Sequence, residues 1–495
     1  MDDQQELERV AAVIAAGPFD DTWESLAGYE PPRWFVDGKF GIFIHWGVYA
    51  VPAFGNEWYA RNMYRQGTPE FEHHRTTYGP HDEFGYKDFV DDLTAADFDP
   101  AAWAQLFRQA GAQFVVPVAE HHDGFQMYAS DRSRWTAVQR GPKRDVLGEL
   151  AEATRRQSLV FGASSHRAEH WWFMNGGTHV PSDVLDPETA DFYGPAQPQT
   201  MQPNDQFLLD WFLRTIELVD RYQPQVLWFD WWIEQPSFEP WLRKVAAYYY
   251  NSAARWGRGV VIQYKYAAFR PGTAVFDIER GALDGIHPRV WQNDTSVSRN
   301  SWSWIEDHDY KGAPELITEL VDVVAKNGVL LLNIGPKPDG TIAETEQELL
   351  RSIGVWLGVH GEAVYGTRPW TIAAEGPSEQ RSGYFTDSSS PSYTAADLRF
   401  TSRDGVEGEF VYATALAWPD DDRLLVRSWG RDAGLLTCEV AAVTVLGHDG
   451  DVVWSRDPDG LRVRLPDRRP SAVGATVRAE LAPRVPTPRQ TGFHL

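Results

Sequence analysis

Eight short apolar runs recur between residues 40 and 335, and helical segments separate most of them. Their apolar residues are mostly consecutive rather than alternating, which is typical of strands buried on both faces of a parallel sheet. Eight such strands alternating with helices predict an α/β fold, a (β/α)₈-like barrel of the triosephosphate isomerase type. The runs occupy residues 40–46, 114–120, 158–165, 226–230, 260–265, 274–279, 289–294 and 328–335.

Helix signals fill most of the intervals between these runs. Asp99 and Pro100 form an N-cap followed by proline at the first helical position. Residues 206–222 and 314–328 repeat apolar residues at three- and four-residue spacing, as an amphipathic helix does. Helices before the sixth and seventh strands are hard to find, so we expect the barrel to be irregular there.

The composition and hydrophobic pattern of the sequence change after Gly366. Residues 374–395 are rich in Ser, Gly and Pro, which indicates a loop or linker. Short alternating runs separated by turn residues follow, and they predict an all-β sandwich domain. The predicted plan is therefore a helical lead-in (1–30), a catalytic barrel (31–370), a linker (371–395), a β-sandwich (396–485) and a poorly ordered tail (486–495).

Charge restricts the partners of this chain. The 46 Lys and Arg residues face 70 Asp and Glu residues, and the resulting net charge of −24 repels nucleic acid and anionic membranes. No run approaches the roughly 20 apolar residues of a membrane span, and the acidic N-terminal stretch does not resemble a signal peptide. A single cysteine, Cys438, excludes an internal disulfide framework. We therefore expect a cytoplasmic protein that binds neither nucleic acid nor membrane.

Two carboxylates at predicted strand ends indicate glycosidase chemistry, because reactive groups of such barrels lie at the carboxyl ends of the strands. Asp230 follows a buried strand and is flanked by aromatic residues, which suits a nucleophile attacking a sugar carbon. Glu279 ends a later strand and could protonate the leaving oxygen. Asp277 lies two residues earlier and points to the same side of an extended strand. The pattern alone does not choose between them, and Lys265 could pair with either.

Aromatic and histidine residues surround these strand ends. The chain has 22 Trp residues, and Trp228 stands directly before the Asp230 region, where a flat ring could pack on a sugar. His121 and His122 end the second run and His45 ends the first. They lack the His-x-His or i, i+4 spacing typical of a metal site, so we interpret them as hydrogen-bond partners for sugar hydroxyls.

Four blocks of the sequence resemble α-L-fucosidases of glycoside hydrolase family 29. They are residues 37–64, residues 119–130 with 141–150, residues 226–230, and residues 327–370. The resemblance implies a retaining exo-α-L-fucosidase that needs no cofactor or metal and acts on a fucosylated small molecule or glycan. It implies that Asp230 is the nucleophile and that Glu279 is the general acid/base, with Asp277 or Glu57 as alternatives. The residues that would hold the fucose are His45, Glu57, Trp58, His121, His122, His166, Trp228 and Lys265.

The sequence also departs from the family pattern. Many relatives carry a tyrosine after the third strand that reaches the nucleophile, whereas residues 162–172 here contain none. His166, Arg167, Glu169 or His170 could replace its contacts. Two other functions stay open at this point: a metal-dependent barrel hydrolase using His45, His121, His122 and Asp230, and a non-catalytic fucose-binding protein. The sequence does not fix the oligomeric state, and a homo-oligomer is allowed.

Overall fold

The eight predicted strands form a closed parallel barrel in sequential order, with the eighth strand paired to the first. The computed structural model describes residues 2–379, 381–388, 392–404 and 409–482. All eight predicted barrel strands are confirmed, and the observed ends differ from the predicted ones by at most a few residues. The strands are β1 (Phe40–Ile44), β2 (Phe114–Glu120), β3 (Val160–Ser165), β4 (Val226–Phe229), β5 (Val261–Tyr264), β6 (Val275–Glu279), β7 (Trp291–Ser296) and β8 (Gly328–Ile334).

Helices surround the barrel and supply its outer layer. Asp99 caps the helix predicted after it by accepting hydrogen bonds from two backbone amides, and the other two predicted helices are also confirmed. None of the helices in the described part of the chain is long and apolar enough to cross a membrane. The α-helices are α1 (Asp3–Ala15), α2 (Trp23–Leu26), α3 (Arg33–Gly38), α4 (Tyr59–Asn62), α5 (Pro69–Thr77), α6 (Pro100–Gln109), α7 (Val146–Arg156), α8 (His170–Phe173), α9 (Ala190–Tyr193), α10 (Asp205–Tyr222), α11 (Glu239–Trp256), α12 (Ala313–Ala325) and α13 (Glu344–His360).

The barrel is irregular where the sequence predicts it. The connections from β5 to β6 and from β6 to β7, both fully described, contain no helix. Pro271-Gly272 interrupts the first connection, and Gly285 and Pro288 interrupt the second, so neither can form regular helical hydrogen bonds. Loops therefore replace the helices on this side of the barrel.

The barrel interior changes from apolar to polar along its axis. Phe43, Val116 and Val261 belong to one buried apolar cluster inside the barrel. Gln263 and Gln292 lie in the same interior, are fully buried and hydrogen-bond to each other. Since buried polar side chains cost free energy unless they are bonded, this layer is a preorganised network rather than a void.

The C-terminal part is the predicted β-sandwich. A five-stranded antiparallel sheet and a three-stranded antiparallel sheet share one apolar core, to which Phe400 and Val411 contribute from the first sheet and Val426 and Leu461 from the second. The first sheet has the order β13-β16-β11-β10-β9 and the second β12-β15-β14. The strands are β9 (Arg368–Glu375), β10 (Leu398–Asp404), β11 (Glu409–Ala415), β12 (Arg423–Val426), β13 (Val440–Val445), β14 (Trp454–Asp457), β15 (Gly460–Arg464) and β16 (Ala475–Leu481).

The predicted boundary between barrel and linker differs from the structure. Strand β9 spans the proposed boundary at residues 370 and 371 and pairs with β10, so the first strand of the sandwich begins before the predicted linker. Its pattern of exposure is irregular rather than alternating, which is why the sequence does not reveal it. The predicted tail, residues 486–495, lies outside the described residues.

Part of the predicted linker folds back onto the barrel. The amide of Phe385 donates to the carbonyl of Glu279 at 3.1 Å, and the amide of Thr386 donates to the carbonyl of Arg280 at 2.8 Å. The Asp387 carboxylate accepts a hydrogen bond from the buried Lys311 at 2.6 Å. Residues 383–387, here called the return segment, therefore extend the end of β6 toward the site.

Candidate functional site

A cavity of about 530 Å³ opens at the carboxyl ends of the barrel strands. All ten residues that the sequence predicts for the site line this one cavity. They are His45, Glu57, Trp58, His121, His122, His166, Trp228, Asp230, Lys265 and Glu279. Parallel strands bring these side chains together from positions up to about 230 residues apart because their carboxyl ends meet at one face of the barrel.

Asp230 follows β4 and is held by four groups. Its Oδ1 accepts from the amide of Trp231 at 2.8 Å and from Lys265 Nζ at 3.1 Å. Its Oδ2 lies 3.0 Å from His166 Nδ1 and 3.5 Å from His122 Nε2. Burial alone would raise the pKa of Asp230, but Lys265 and the two histidines outweigh it and hold that pKa well below its usual range. Asp230 is therefore an oriented, ionised carboxylate at neutral pH.

Lys265 connects Asp230 to a second carboxylate. Its Nζ donates to Glu279 Oε2 at 2.6 Å and lies 3.5 Å from Asp294 Oδ2. The ammonium also lies over the ring of Trp228, 4.8 Å from its centroid. Burial would lower the pKa of Lys265, but the surrounding carboxylates raise it well above its usual value. The lysine thus stays charged and holds Asp230 and Glu279 through one nitrogen.

Asp277, one of the alternatives for the acid/base, lies inside the barrel and does not line the cavity. Its Oδ2 accepts from Trp228 Nε1 at 2.9 Å and its Oδ1 accepts from Gln292 Nε2 at 3.0 Å. The side chain is fully buried, and burial raises its pKa to about 6. Both of its oxygens are therefore engaged below the Trp228 ring, away from the space where a sugar could enter.

Glu57, the other alternative, does line the cavity. It follows β1 in the loop that carries Trp58, and its Oε2 accepts from the amide of Trp302 at 2.9 Å. Burial raises the pKa of Glu57 above its usual value. The geometry thus leaves Glu279 and Glu57, together with Asp294, as carboxyl groups that line the cavity in addition to Asp230.

Three histidines form a cluster of neutral imidazoles beside Asp230. The rings of His121 and His166 are 4.6 Å apart, and those of His45 and His166 are 5.3 Å apart. Burial lowers the pKa of all three, that of His166 to about 4. His45 Nδ1 bonds to Asn333 Oδ1 at 2.7 Å, which fixes the ring. A neutral imidazole nitrogen that has no partner in the protein, such as His121 Nδ1, can donate to a sugar hydroxyl or accept from one.

The same histidines are close enough for metal coordination. The ligand atoms of His45, His121 and His166 lie within 4.8 Å of one another, as do those of His122, His166 and Asp230. His166, however, already uses Nδ1 for Asp230 and Nε2 for Ser164 Oγ, at 3.0 and 3.1 Å. A metal ion would have to displace these hydrogen bonds.

His166, one of the four residues that the sequence offers as replacements for the absent tyrosine, contacts Asp230. Of the other three, Arg167 pairs with Glu120 at 3.2 Å and is directed away from Asp230. His170 Nδ1 bonds to the carbonyl of His122 at 2.8 Å and supports the loop. The nucleophile candidate is therefore bonded to an imidazole that is held in the same short loop after β3.

Glu169 extends this arrangement behind His122. His122 Nδ1 lies 3.3 Å from Glu169 Oε2 and 3.2 Å from the carbonyl of His166, while its Nε2 faces Asp230. Burial lowers the pKa of His122, but Glu169 outweighs it and raises the pKa to about 9. Burial raises the pKa of Glu169 to about 8. The pair therefore retains a proton above neutral pH, and His122 presents a positive charge to Asp230 when it carries that proton.

Replacing Glu169 with glutamine is expected to flatten the pH dependence of the melting temperature between about pH 7 and 9. Raised pKa values stabilise the folded protein fully below the unfolded-state values, about 4.3 for Glu and 6.5 for His. That stability is lost as the pH rises through the folded values of about 8 for Glu169 and about 9 for His122. The wild-type melting temperature should therefore fall across this interval.

Calorimetry at several pH values measures this effect. The variant lacks the Glu169 proton and its His122 titrates at a lower pH, so its curve should be flatter. Glu152→Gln, which changes an exposed carboxylate paired with Arg156, is the matched control and should keep the wild-type slope. A Glu169→Gln curve parallel to the wild-type curve would contradict the assignment.

Several residues around the cavity are not in the sequence prediction. Trp231, Tyr266, Asp294, Trp302 and Phe385 all line it. Asp294 is one of the polar strand-end residues, because it ends the predicted run 289–294. The strand-end pattern could therefore have placed it at the site. Trp302 and Phe385 lie in irregular segments far along the chain, and no local pattern connects such residues to a barrel strand.

Comparison with known proteins identifies the family. The family model described as Alpha-L-fucosidase matches residues 7–362, and the model described as Alpha-L-fucosidase C-terminal domain matches residues 392–480. The chain belongs to the α-L-fucosidase family. It is a glycoside hydrolase, and this match supports the α-L-fucosidase function over the metal-dependent hydrolase and the non-catalytic binding protein.

Relatives of this fucosidase match over most of their length. Human tissue α-L-fucosidase is 32% identical over 472 residues, covering 92% of this chain and 89% of the relative. Human plasma α-L-fucosidase is 33% identical over 476 residues, with 91% and 89% covered. The crystal structure of Thermotoga maritima α-fucosidase in complex with fucose is 27% identical and has a TM-score of 0.72, covering 93% of this chain and all of that one. The predicted fold, barrel followed by sandwich, is thus shared with known fucosidases.

Proposed function

We propose that this fucosidase is a retaining exo-enzyme in which Asp230 is the nucleophile and Glu279 the general acid/base. The supporting observation is that Lys265 Nζ contacts both carboxylates, at 3.1 and 2.6 Å. The sum of these distances is the upper limit for the separation of the two oxygens. This close approach of the two oxygens is compatible with the roughly 5–5.5 Å between the carboxyl groups of retaining enzymes, whereas inverting enzymes place theirs roughly 6.5–9.5 Å apart.

In the first step, an oxygen of Asp230 attacks C1 of a terminal α-L-fucosyl unit. The bond from C1 to the leaving oxygen breaks, its electron pair stays on that oxygen, and Glu279 supplies a proton to it. In the second step Glu279 removes a proton from water, the water oxygen bonds to C1, and the ester bond to Asp230 breaks. Two inversions at C1 give overall retention of configuration.

Lys265 changes partners in this scheme. In the free enzyme it holds both carboxylates, and a bound fucoside between them separates it from Glu279, which then carries the proton. Lys265 keeps its contacts with Asp230 and Asp294, so the nucleophile stays ionised. The base of the cavity is closed by the barrel interior, where Trp228 is only 1% exposed, and this closed base favours a terminal sugar. The cytoplasmic location stays a prediction.

Glu279→Gln and Glu57→Gln distinguish the two acid/base candidates. The glutamine cannot donate a proton, so the loss should be large for fucosides with poor leaving groups and small for those with good ones. We expect Glu279→Gln to lower kcat/KM for a methyl or sugar fucoside by about 10²–10⁴-fold and for a 2,4-dinitrophenyl fucoside much less. Glu57→Gln should affect both substrates similarly, since it would only weaken binding.

Asp277→Asn is the matched control, because Asp277 is a buried carboxylate near Lys265 that lies outside the cavity. It should show no dependence on the leaving group. If the dependence appeared in Glu57→Gln and not in Glu279→Gln, the acid/base would be Glu57. The product anomer, followed by NMR during the first turnovers, tests retention directly, and β-L-fucose as the first product would contradict it.

A further inference from the structure

A second cavity of about 370 Å³ adjoins the fucose cavity. Arg61 lines both of them, and the rings of Trp58 and Trp172, one from each cavity, are 6.0 Å apart. The second cavity therefore begins where the leaving group of a fucoside bound at Asp230 would emerge. It is here called the Arg61 subsite.

Arg61 occupies an unusual position for a cation. Its guanidinium lies over the rings of Trp58 and Trp172, at 5.2 and 4.9 Å from their centroids. Burial lowers the pKa of Arg61 to about 10, with Arg65 contributing in the same direction, so the group remains charged at neutral pH. No carboxylate in the described part of the chain forms an ion pair with Arg61, and the aromatic rings hold the planar group in place without neutralising it.

The rest of the subsite adds donors and positive charge. Arg65, Asn175, His179 and Gln199 line it, and its lining includes no Asp or Glu. The backbone at Gly176 approaches the stem of Arg65 so closely that a Cβ there would lie 3.0 Å from Arg65 Cγ. The loop that carries Asn175 and His179 is thus packed against Arg65, which gives the subsite a fixed shape.

We infer that the Arg61 subsite binds an anionic group, a carboxylate or a sulfate ester, carried by the leaving group of the fucoside. The inference rests on the proposed function, because it needs fucose bound at Asp230. The N–H donors of two guanidinium groups can bind the oxygens of such an anion. Contact with the anion stabilises a half-buried cation more than it stabilises a cation in water.

The net charge of the protein sharpens this inference. A net charge of −24 repels anions at long range. The acidic group of a fucoside therefore adds to its affinity only if it reaches a local positive site. The same long-range repulsion discriminates against highly charged polymers. The enzyme is therefore suited to small fucosides that carry one acidic group near the cleaved bond.

The experiment compares 3-carboxyphenyl α-L-fucoside with its methyl ester. The ratio of their kcat/KM values is measured for wild type, Arg61→Gln, Arg65→Glu and Arg33→Gln. Since the intrinsic reactivity of each fucoside is the same with every variant, a change in the ratio reports the subsite alone. Arg33 is an exposed arginine before β1, at the opposite end of the barrel, and controls for the loss of one positive charge.

We expect the ratio to fall about tenfold in Arg61→Gln, to fall further in Arg65→Glu, and to stay at the wild-type value in Arg33→Gln. The wild-type ratio should also fall as the salt concentration rises. Arg65→Glu keeps the test valid if Arg61→Gln does not fold, because Arg65 is exposed. A fucoside of 3-hydroxyphenyl sulfate, which carries a sulfate ester in the same position, is measured in parallel and shows which of the two anions is preferred.

Unchanged ratios in both arginine variants would overturn the inference and leave the fucosidase assignment intact. A ratio that fell equally in Arg33→Gln would also overturn it, because net charge would then explain the effect. If wild type hydrolysed neither fucoside, the proposed function itself would fail, and the inference with it.

Discussion

Replacing Asp230 with alanine is expected to lower kcat by on the order of 10⁴-fold or more, while the circular dichroism spectrum stays unchanged. The physical reason is that Asp230 is the proposed nucleophile and that its depressed pKa keeps it ionised in the cavity. Steady-state kinetics on a nitrophenyl α-L-fucoside measures the effect. Binding of fucose, measured by calorimetry, should persist because His45 and His121 do not depend on Asp230 for their positions.

Added azide provides a second readout for the Asp230→Ala variant. The space left by the carboxylate admits a small anion beside Lys265, and azide can attack C1 from the face that Asp230 occupied. The product would be a β-L-fucosyl azide, the inverted anomer, and turnover of an activated fucoside should partly recover. An Asp230→Ala enzyme that hydrolyses fucosides at the wild-type rate would contradict the assignment.

Replacing Lys265 with methionine should have the largest effect on stability, a loss of about 3–5 kcal/mol in the free energy of unfolding. Lys265 is the cation that contacts Asp230, Glu279 and Asp294 together. Without it, these carboxylates stay buried with their charges uncompensated. We also expect kcat to fall at least about a hundredfold, since the lysine orients the nucleophile.

The sign of the pH effect follows from Asp230. With Lys265 present, its depressed pKa adds stability above the unfolded-state value, about 3.9. Without Lys265 only the two histidines oppose burial, so the pKa of Asp230 is higher than in wild type, and part of this stability is lost as the pH rises toward the higher value. The gap in melting temperature between wild type and Lys265→Met should therefore widen from about pH 5 to pH 8. Lys265→Arg keeps the charge and should show a smaller gap, and a pH-independent gap would contradict the account.

Much of the fold and site could be predicted because a parallel barrel brings the carboxyl ends of all its strands together at one face. Continuous apolar runs revealed each strand, and the residue that ends a run, such as Asp230 or Glu279, had to lie at the common rim. Eight of the ten predicted residues lie at or next to strand ends, whereas Glu57 and Trp58 were predicted from the family resemblance. The family resemblance then supplied candidate roles, which local pattern could not.

The remaining parts depend on contacts between distant segments. Asp277 and Glu279 share one strand face, and only the bond from Trp228 shows that Asp277 lies below the cavity. Strand β9 is irregular in its exposure, and it becomes a strand by pairing with β10. The contact of His166 with Asp230 depends on how the loop after β3 turns, which the sequence does not specify.

The return segment also bears on how such enzymes can be exchanged or shortened. Phe385 lines the fucose cavity from beyond the first strand of the sandwich, and its amide is bonded to the carbonyl of Glu279. In a chimera joined at the end of the barrel, the strand that carries Glu279 would come from one protein and the return segment that lines the cavity beside it from another. The residues that determine substrate specificity in this protein thus come from both sides of the domain boundary. Exchanging sandwich domains between relatives should therefore alter which fucosides are cleaved.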